Sequence, residues 1–137
     1  MIKRFDHVTL VVQDEASAKR FFALLGFREE TTVTISGKSF ADYVGVPDIN
    51  ARHVTLVADG VEPRTEIQLL KFLHPDPLPD SQIRELNKIG FNHICFAVDD
   101  LDAVVQRVKD AGFLTRAGVL DFRSRRLGRR REPAGVT

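Results

Sequence analysis

Polar and apolar side chains alternate from Arg4 to Val12. Phe5, His7, Thr9 and Val11 fall on one side, and Val8, Leu10 and Val12 on the other. A period of two predicts a β-strand. Asp14 then stands where an N-cap belongs, and Ala18, Phe21, Phe22 and Leu25 recur at helical steps. That pattern predicts a helix over residues 15–25 with one apolar stripe, closed by Gly26 as its left-handed cap. β-Branched and alternating runs predict further strands at residues 31–35, 52–58 and 66–72, with a short helical turn over residues 39–44. The first part of the chain is therefore read as a β-α-β-β-β unit.

The pattern then starts again. Residues 5–27 and 91–113 align at a constant offset of 86 with no gap, and Phe, His, Val, Asp, Gly and Phe are identical at six aligned positions. The second copy predicts a strand over residues 92–98, Asp100 as N-cap, a helix over residues 101–111 with Leu101, Val104, Val105, Val108 and Ala111 as its stripe, and Gly112 as cap. A unit recurs in one chain because a single copy cannot bury its apolar face alone. Between the copies, Pro75, Pro77 and Pro79 make residues 73–81 a stiff connector. Asp80 or Ser81 is expected to cap a short helix reaching Leu86 and Asn87 and ending near Gly90. Beyond the second helix, residues 114–119 and 123–131 are candidate strands, residues 132–135 a turn, and Val136-Thr137 the start of one more strand. The resulting reading is one α+β domain over residues 1–137. Module one spans about 4–72, a linker about 73–90 and module two about 91–137, the second lacking most of its last strand.

Composition narrows the function classes. At 137 residues the chain can bury a real core. No apolar run approaches the ~20 residues of a membrane span, and the start Met1-Ile2-Lys3-Arg4 passes directly into a strand pattern, so a cytoplasmic protein is expected. Cys95 is the single cysteine, which excludes an internal disulfide and a Cys-rich zinc site. Charge is uneven: residues 1–115 carry 13 basic and 17 acidic side chains, while residues 116–137 carry seven Arg against Asp121 and Glu132. No stacking aromatics or nucleic-acid motif accompany the Arg cluster, so it reads as a solvated edge and tail, with no nucleic-acid partner expected.

The duplicated polar residue is a histidine. A lone strand histidine is most often a hydrogen-bonded structural residue. His7 and His93, however, occupy equivalent strand positions on the face away from the helix-packing residues, and duplication makes them a candidate metal pair. In the fourth strand, Ile67 and Leu69 face the helix, so Glu66 and Gln68 share the histidine face and offer oxygens. His53 and His74 have no repeat counterpart and default to structural roles. Asp14 and Asp100 are explained by capping, and Cys95 by a small buried position.

These motifs resemble the vicinal oxygen chelate superfamily, which includes glyoxalase I, methylmalonyl-CoA epimerase, extradiol dioxygenases and metal-free bleomycin-resistance proteins. The carriers are Asp6-His7-Val8-Thr9-Leu10-Val11-Val12, Phe21-Phe22-Ala23-Leu24-Leu25-Gly26-Phe27, Ile67-Gln68-Leu69-Leu70, Asn92-His93-Ile94-Cys95-Phe96-Ala97-Val98-Asp99-Asp100 and Glu132-Pro133-Ala134-Gly135. The resemblance implies paired βαβββ modules forming a half-barrel cleft around a divalent metal (Zn, Ni, Co, Mn or Fe), with His7, Gln68 and His93 as ligands. Glutamine at position 68 looks more like methylmalonyl-CoA epimerase than glyoxalase I. The family's last-strand Glu ligand would fall beyond Thr137, which leaves Glu66 as the one nameable base, by shared face alone. The implied function is a metal-dependent isomerase or lyase of the epimerase/glyoxalase type, acting on a small carbonyl compound or thioester through an enediolate. Two alternatives stay open: a metal-free small-molecule binding protein of the same fold, and an Fe(II) dioxygenase of extradiol type using His7, His93 and Glu66. A homodimer is expected, both from the resemblance and from an unpaired C-terminal edge.

Overall fold

The structure is a computed structural model in which residues 1–116, 135 and 136 are described. Contacts divide the chain into two compact units, Met1–Pro79 and Asp80–Thr137.

The first unit contains β1 (His7–Val11), α1 (Glu15–Leu24), β2 (Phe27–Ser36), α2 (Lys38–Val44), β3 (Asn50–Ala58) and β4 (Glu66–His74). Its four strands form one mixed sheet in the order β1-β4-β3-β2, in which β1 and β4 run parallel and the other neighbours antiparallel. A parallel pair needs a long crossover. Here α1, β2, α2 and β3 all intervene between β1 and β4 in sequence.

α1 forms where the apolar stripe predicts it. Asp14 accepts a hydrogen bond from the Ser17 amide at 3.0 Å, satisfying one of the free N–H groups of the first turn. Gly26, at φ 90°, takes the left-handed conformation that lets the chain turn directly into β2. The helix covers one face of the sheet. Phe22 meets Phe27 edge-to-face at 5.6 Å, and Val54, Leu56, Ile67 and Leu69 lie buried in the two central strands. Burying a side chain of this size stabilises the fold by roughly 1.5–3 kcal/mol. Arg52, on the α1 side of β3, holds Glu15 through two hydrogen bonds of 2.8 and 3.1 Å.

β2 is longer than the β-branched run suggested, starting at Phe27 rather than at residue 31. Arg28, Glu29 and Glu30 hide the strand signal because β2 is an edge strand whose charged side chains find partners across the surface. Glu29 meets Lys19, and Glu30 meets Arg64. A register shift between Glu29 and Thr31 interrupts the ladder with β3.

The second unit contains β5 (Phe96–Ala97), α3 (Leu101–Asp110) and β6 (Gly135–Val136). α3 repeats the design of α1. Asp100 accepts from the Ala103 amide at 2.9 Å, Val108 is buried, and Gly112 at φ 85° closes the helix. Elsewhere the second unit departs from the sequence reading. The strand predicted over residues 92–98 is paired only at Phe96 and Ala97, since among the described residues β5 has only the two-residue β6 beside it. That pairing is antiparallel, whereas β1 meets β4 in parallel.

The helix predicted after Asp80 is a series of turns. Asp80 caps Gln82, but the following backbone bonds run from Glu85 to Gln82 and from Lys88 to Glu85, each spanning three residues. No four-residue ladder follows, and Ile83, Leu86 and Ile89 remain exposed, so no apolar face is buried to offset helix nucleation. Cys95 is exposed rather than buried. Of the candidate strand over residues 114–119, Leu114, Thr115 and Arg116 are not in a strand and the remainder lies outside the described residues, as do the candidate strand over residues 123–131, the turn through residue 134 and Thr137. No helix among the described residues is long and apolar enough to cross a membrane.

Candidate metal centre

The alternation that placed His7 and Gln68 on one face holds. In β1, His7, Thr9 and Val11 are exposed while Val8 and Leu10 are half-buried. The parallel register sets His7 beside Glu66 and Thr9 beside Gln68. Gln68 is half-buried between strands, because β4 lies inside the sheet.

Gln68 is the hub of this face. Its Oε1 accepts a hydrogen bond from Thr9 Oγ1 at 3.1 Å and lies 2.9 Å from His53 Nε2, while its Nε2 donates to Glu66 Oε1 at 2.6 Å. The Glu66 carboxylate can only accept, so it fixes which end of the amide is nitrogen. Oε1 must then face His53, and His53 Nε2 must carry a proton and donate.

Glu66 is equally engaged. Its Oε2 accepts from Arg64 at 3.0 Å, and Arg64 also binds Glu30 through two hydrogen bonds. Arg64 holds the Glu30 carboxyl below its ordinary value, and the two carboxylates raise the Arg64 guanidinium further above its own. A polar ribbon therefore crosses the sheet from Glu30 through Arg64, Glu66 and Gln68 to Thr9 and His53.

The ring nitrogens of the two duplicated histidines are differentiated. His7 Nδ1 lies 2.9 Å from Asp6 Oδ2, and His93 Nδ1 lies 2.7 Å from Asn92 Oδ1. The hydrogen bond from His7, followed by that from Arg4, holds the Asp6 carboxyl below the usual carboxylate range. His93 sits on an unpaired segment ahead of β5. His74 ends β4 at an exposed position.

The sequence reading gave His53 a structural or solvent-facing role without naming its contact to Gln68, and it named no role for Arg64. His53 was legible in principle. It has the same parity as Thr55, which pairs with Gln68 across the β3–β4 ladder. Arg64 gave no signal, because it precedes β4 and acts through Glu66.

The fit of this face to a divalent ion rests on His7, because Gln68 Oε1 already accepts from Thr9 and His53. Imidazole nitrogen with an amide oxygen is a borderline set that Zn, Co, Ni and Fe accept, and the His7 hydrogen bond to Asp6 engages Nδ1 rather than Nε2. Among the described residues, no three His, Cys, Asp or Glu side chains form a group that could hold a metal ion.

A family profile described as the Glyoxalase/Bleomycin resistance protein/Dioxygenase superfamily matches residues 6–125. The chain belongs to this superfamily. Within the vicinal oxygen chelate group, it is 33% identical over 116 residues to an ethylmalonyl-CoA/methylmalonyl-CoA epimerase of Cereibacter sphaeroides, covering 82% of this chain and 73% of that one. A glyoxalase family protein from Bacillus cereus superposes with a TM-score of 0.74 at 25% identity, over 82% of this chain and 74% of its own. The superfamily contains enzymes and binding proteins on one scaffold, so residue chemistry has to separate them.

Proposed function

We propose that the protein is a divalent-metal-dependent isomerase or lyase of the epimerase/glyoxalase type, with a small acyl thioester such as methylmalonyl-CoA or ethylmalonyl-CoA as the substrate class to test first. The observation that carries this reading is Gln68 on the His7 face of the sheet, in a chain 33% identical to an epimerase for those thioesters. His7, Gln68 and His93 would hold the ion, and the ion would supply Lewis acidity toward two neighbouring substrate oxygens.

The chain's own residues supply the rest. Thr9 and His53 hold the Gln68 amide in one orientation, and Arg64 fixes Glu66 beside it. On this reading Glu66, which shares the strand face of Gln68, takes the proton beside the carbonyl. To do so it must exchange the Gln68 amide for the carbon acid, since both of its oxygens already accept hydrogen bonds. The protein would work in the cytoplasm and as a homodimer.

The test has two parts: metal content after reconstitution, and deuterium uptake at the α-carbon of methylmalonyl-CoA or ethylmalonyl-CoA in D2O, followed by NMR. About one ion per chain is expected, together with exchange that His7→Ala abolishes. Failure to load metal, or exchange that survives in His7→Ala, overturns the reading.

One observation favours a second reading, that of a metal-free binding protein. Two donors already occupy Gln68 Oε1, which has two lone pairs, so this oxygen reaches a metal only by losing one of them. On that reading His7→Ala leaves small-ligand affinity nearly unchanged. The Fe(II) dioxygenase alternative draws less support, because it requires Glu66 as a ligand while Arg64 and Gln68 hold both of its oxygens.

A further inference from the structure

The repeat extends one residue beyond the histidines. Asp6 precedes His7 and Asn92 precedes His93, at the same offset of 86. In each unit the preceding side chain presents an oxygen to the imidazole Nδ1, at 2.9 Å from Asp6 and 2.7 Å from Asn92.

Each oxygen is itself held by a third group. Arg4 donates to Asp6 Oδ1 at 3.1 Å, leaving Oδ2 for His7. Asn92 donates its amide nitrogen to the Leu86 carbonyl, which turns Oδ1 toward His93. A carboxylate oxygen and a fixed amide oxygen can only accept. Nδ1 must therefore be the donor in both rings, and in the neutral ring the lone pair is left on Nε2. An imidazole free in water favours the opposite tautomer.

We infer that Asp6 and Asn92 are positioning residues that fix the Nδ1–H tautomer of His7 and His93 and so reserve each Nε2 as a metal-binding atom. This inference rests on the metal-dependent reading above. A histidine ligand held through its other ring nitrogen binds metal more tightly, because ring orientation and tautomer are set beforehand. The two units reach the same end with different groups. Asp6 brings a full negative charge to its ring and Asn92 a dipole, so His7 is the more strongly polarised ligand of the pair.

The experiment uses the full chain labelled with 15N in its imidazoles. Long-range proton–nitrogen spectra of metal-free protein at pH 8 report which nitrogen carries the proton. His7 and His93 are expected to show Nδ1–H. Asp6→Ala should return His7 alone to the Nε2–H form, and Asn92→Ala should do so for His93 alone. Asp6→Asn, which keeps an accepting oxygen, should preserve the Nδ1 proton.

In parallel, Co(II) affinity is measured by competition with a chromophoric chelator. Asp6→Ala should bind roughly 10- to 100-fold more weakly than the parent, with Asp6→Asn falling between the two. An Nε2–H signal for His7 in the parent protein, or unchanged Co(II) affinity in Asp6→Ala, overturns the inference. Parent protein that shows Nδ1–H yet takes up no Co(II) instead overturns the metal-dependent reading and leaves the tautomer assignment standing.

Discussion

Gln68 Oε1 has two donors, Thr9 and His53, and removing them one at a time or together tests whether they serve one oxygen. Thr9→Val keeps the side-chain shape and deletes one hydroxyl donor, an expected loss of about 0.5–1.5 kcal/mol. His53→Ala deletes the other donor and some packing, for an expected loss of about 1–2 kcal/mol. In either variant Oε1 keeps one partner. In the double variant it keeps neither, while Glu66 still holds the amide nitrogen and prevents the group from rotating to find another donor. An orphaned buried acceptor costs about 1–3 kcal/mol. Gln68 is only half-buried, so water offsets part of this, and a coupling of about 0.5–1 kcal/mol beyond the sum of the single losses is expected. Amide hydrogen exchange in β3 and β4 reads that difference within the first unit. Losses that add to within about 0.3 kcal/mol would show that the two donors do not share the oxygen, and the hub would then be wrong.

Other parts of the fold give separate expectations. Leu69 is fully buried beneath α1, so Leu69→Ala should destabilise the first unit by about 2–5 kcal/mol in urea unfolding, while the conservative Leu69→Met should stay within about 1.5 kcal/mol. The bidentate Arg52 contact lowers the Glu15 carboxyl, so its contribution is present above the unfolded-state value of about 4.3 and is lost as pH falls through the lower folded value. Arg52→Gln should therefore lower the urea midpoint at pH 7, with the gap from the parent closing below pH ~4. Asp14→Ala and Asp100→Ala each remove a cap of the same geometry, and each should cost about 1 kcal/mol, read as faster exchange in the first turn of α1 and of α3 respectively.

What the sequence made legible was local. The period of two in β1 and β4 put His7, Gln68 and Glu66 on one face, and the caps at Asp14 and Asp100 placed both helices to within a residue of their ends. Each of these signals lies within a dozen residues of the feature that it specifies. His53 escaped because its role depends on a cross-strand contact with Gln68, which is set by register rather than by local pattern. β2 was shortened in the reading because its start is charged, and two of those charges are satisfied by residues distant in sequence, Arg28 by Asp59 and Glu30 by Arg64. In the second unit, alternation was present, but among the described residues pairing was confined to Phe96 and Ala97. Ile94, Phe96 and Val98 are half-buried and His93, Cys95 and Ala97 exposed, yet a strand needs a neighbour to bond, and alternation alone does not provide one.

The same contrast between local and long-range wiring bears on Glu66 and His7. Glu66 is tied by Arg64 and Gln68 into a ribbon across the sheet, whereas among the described residues His7 is tied to Asp6 through Nδ1 and not through its outer nitrogen. A group whose hydrogen-bonding capacity is spent inside the fold must break something to act, and breaking a charge-assisted bond of this kind costs about 1.5–3 kcal/mol. A group with an open lone pair acts without that cost. On the proposed reading, the first unit is therefore better prepared for binding a cation or accepting a hydrogen bond at His7 than for taking a proton at Glu66. On the proposed reading, proton transfer by Glu66 therefore waits until an incoming ligand has drawn the Gln68 amide away.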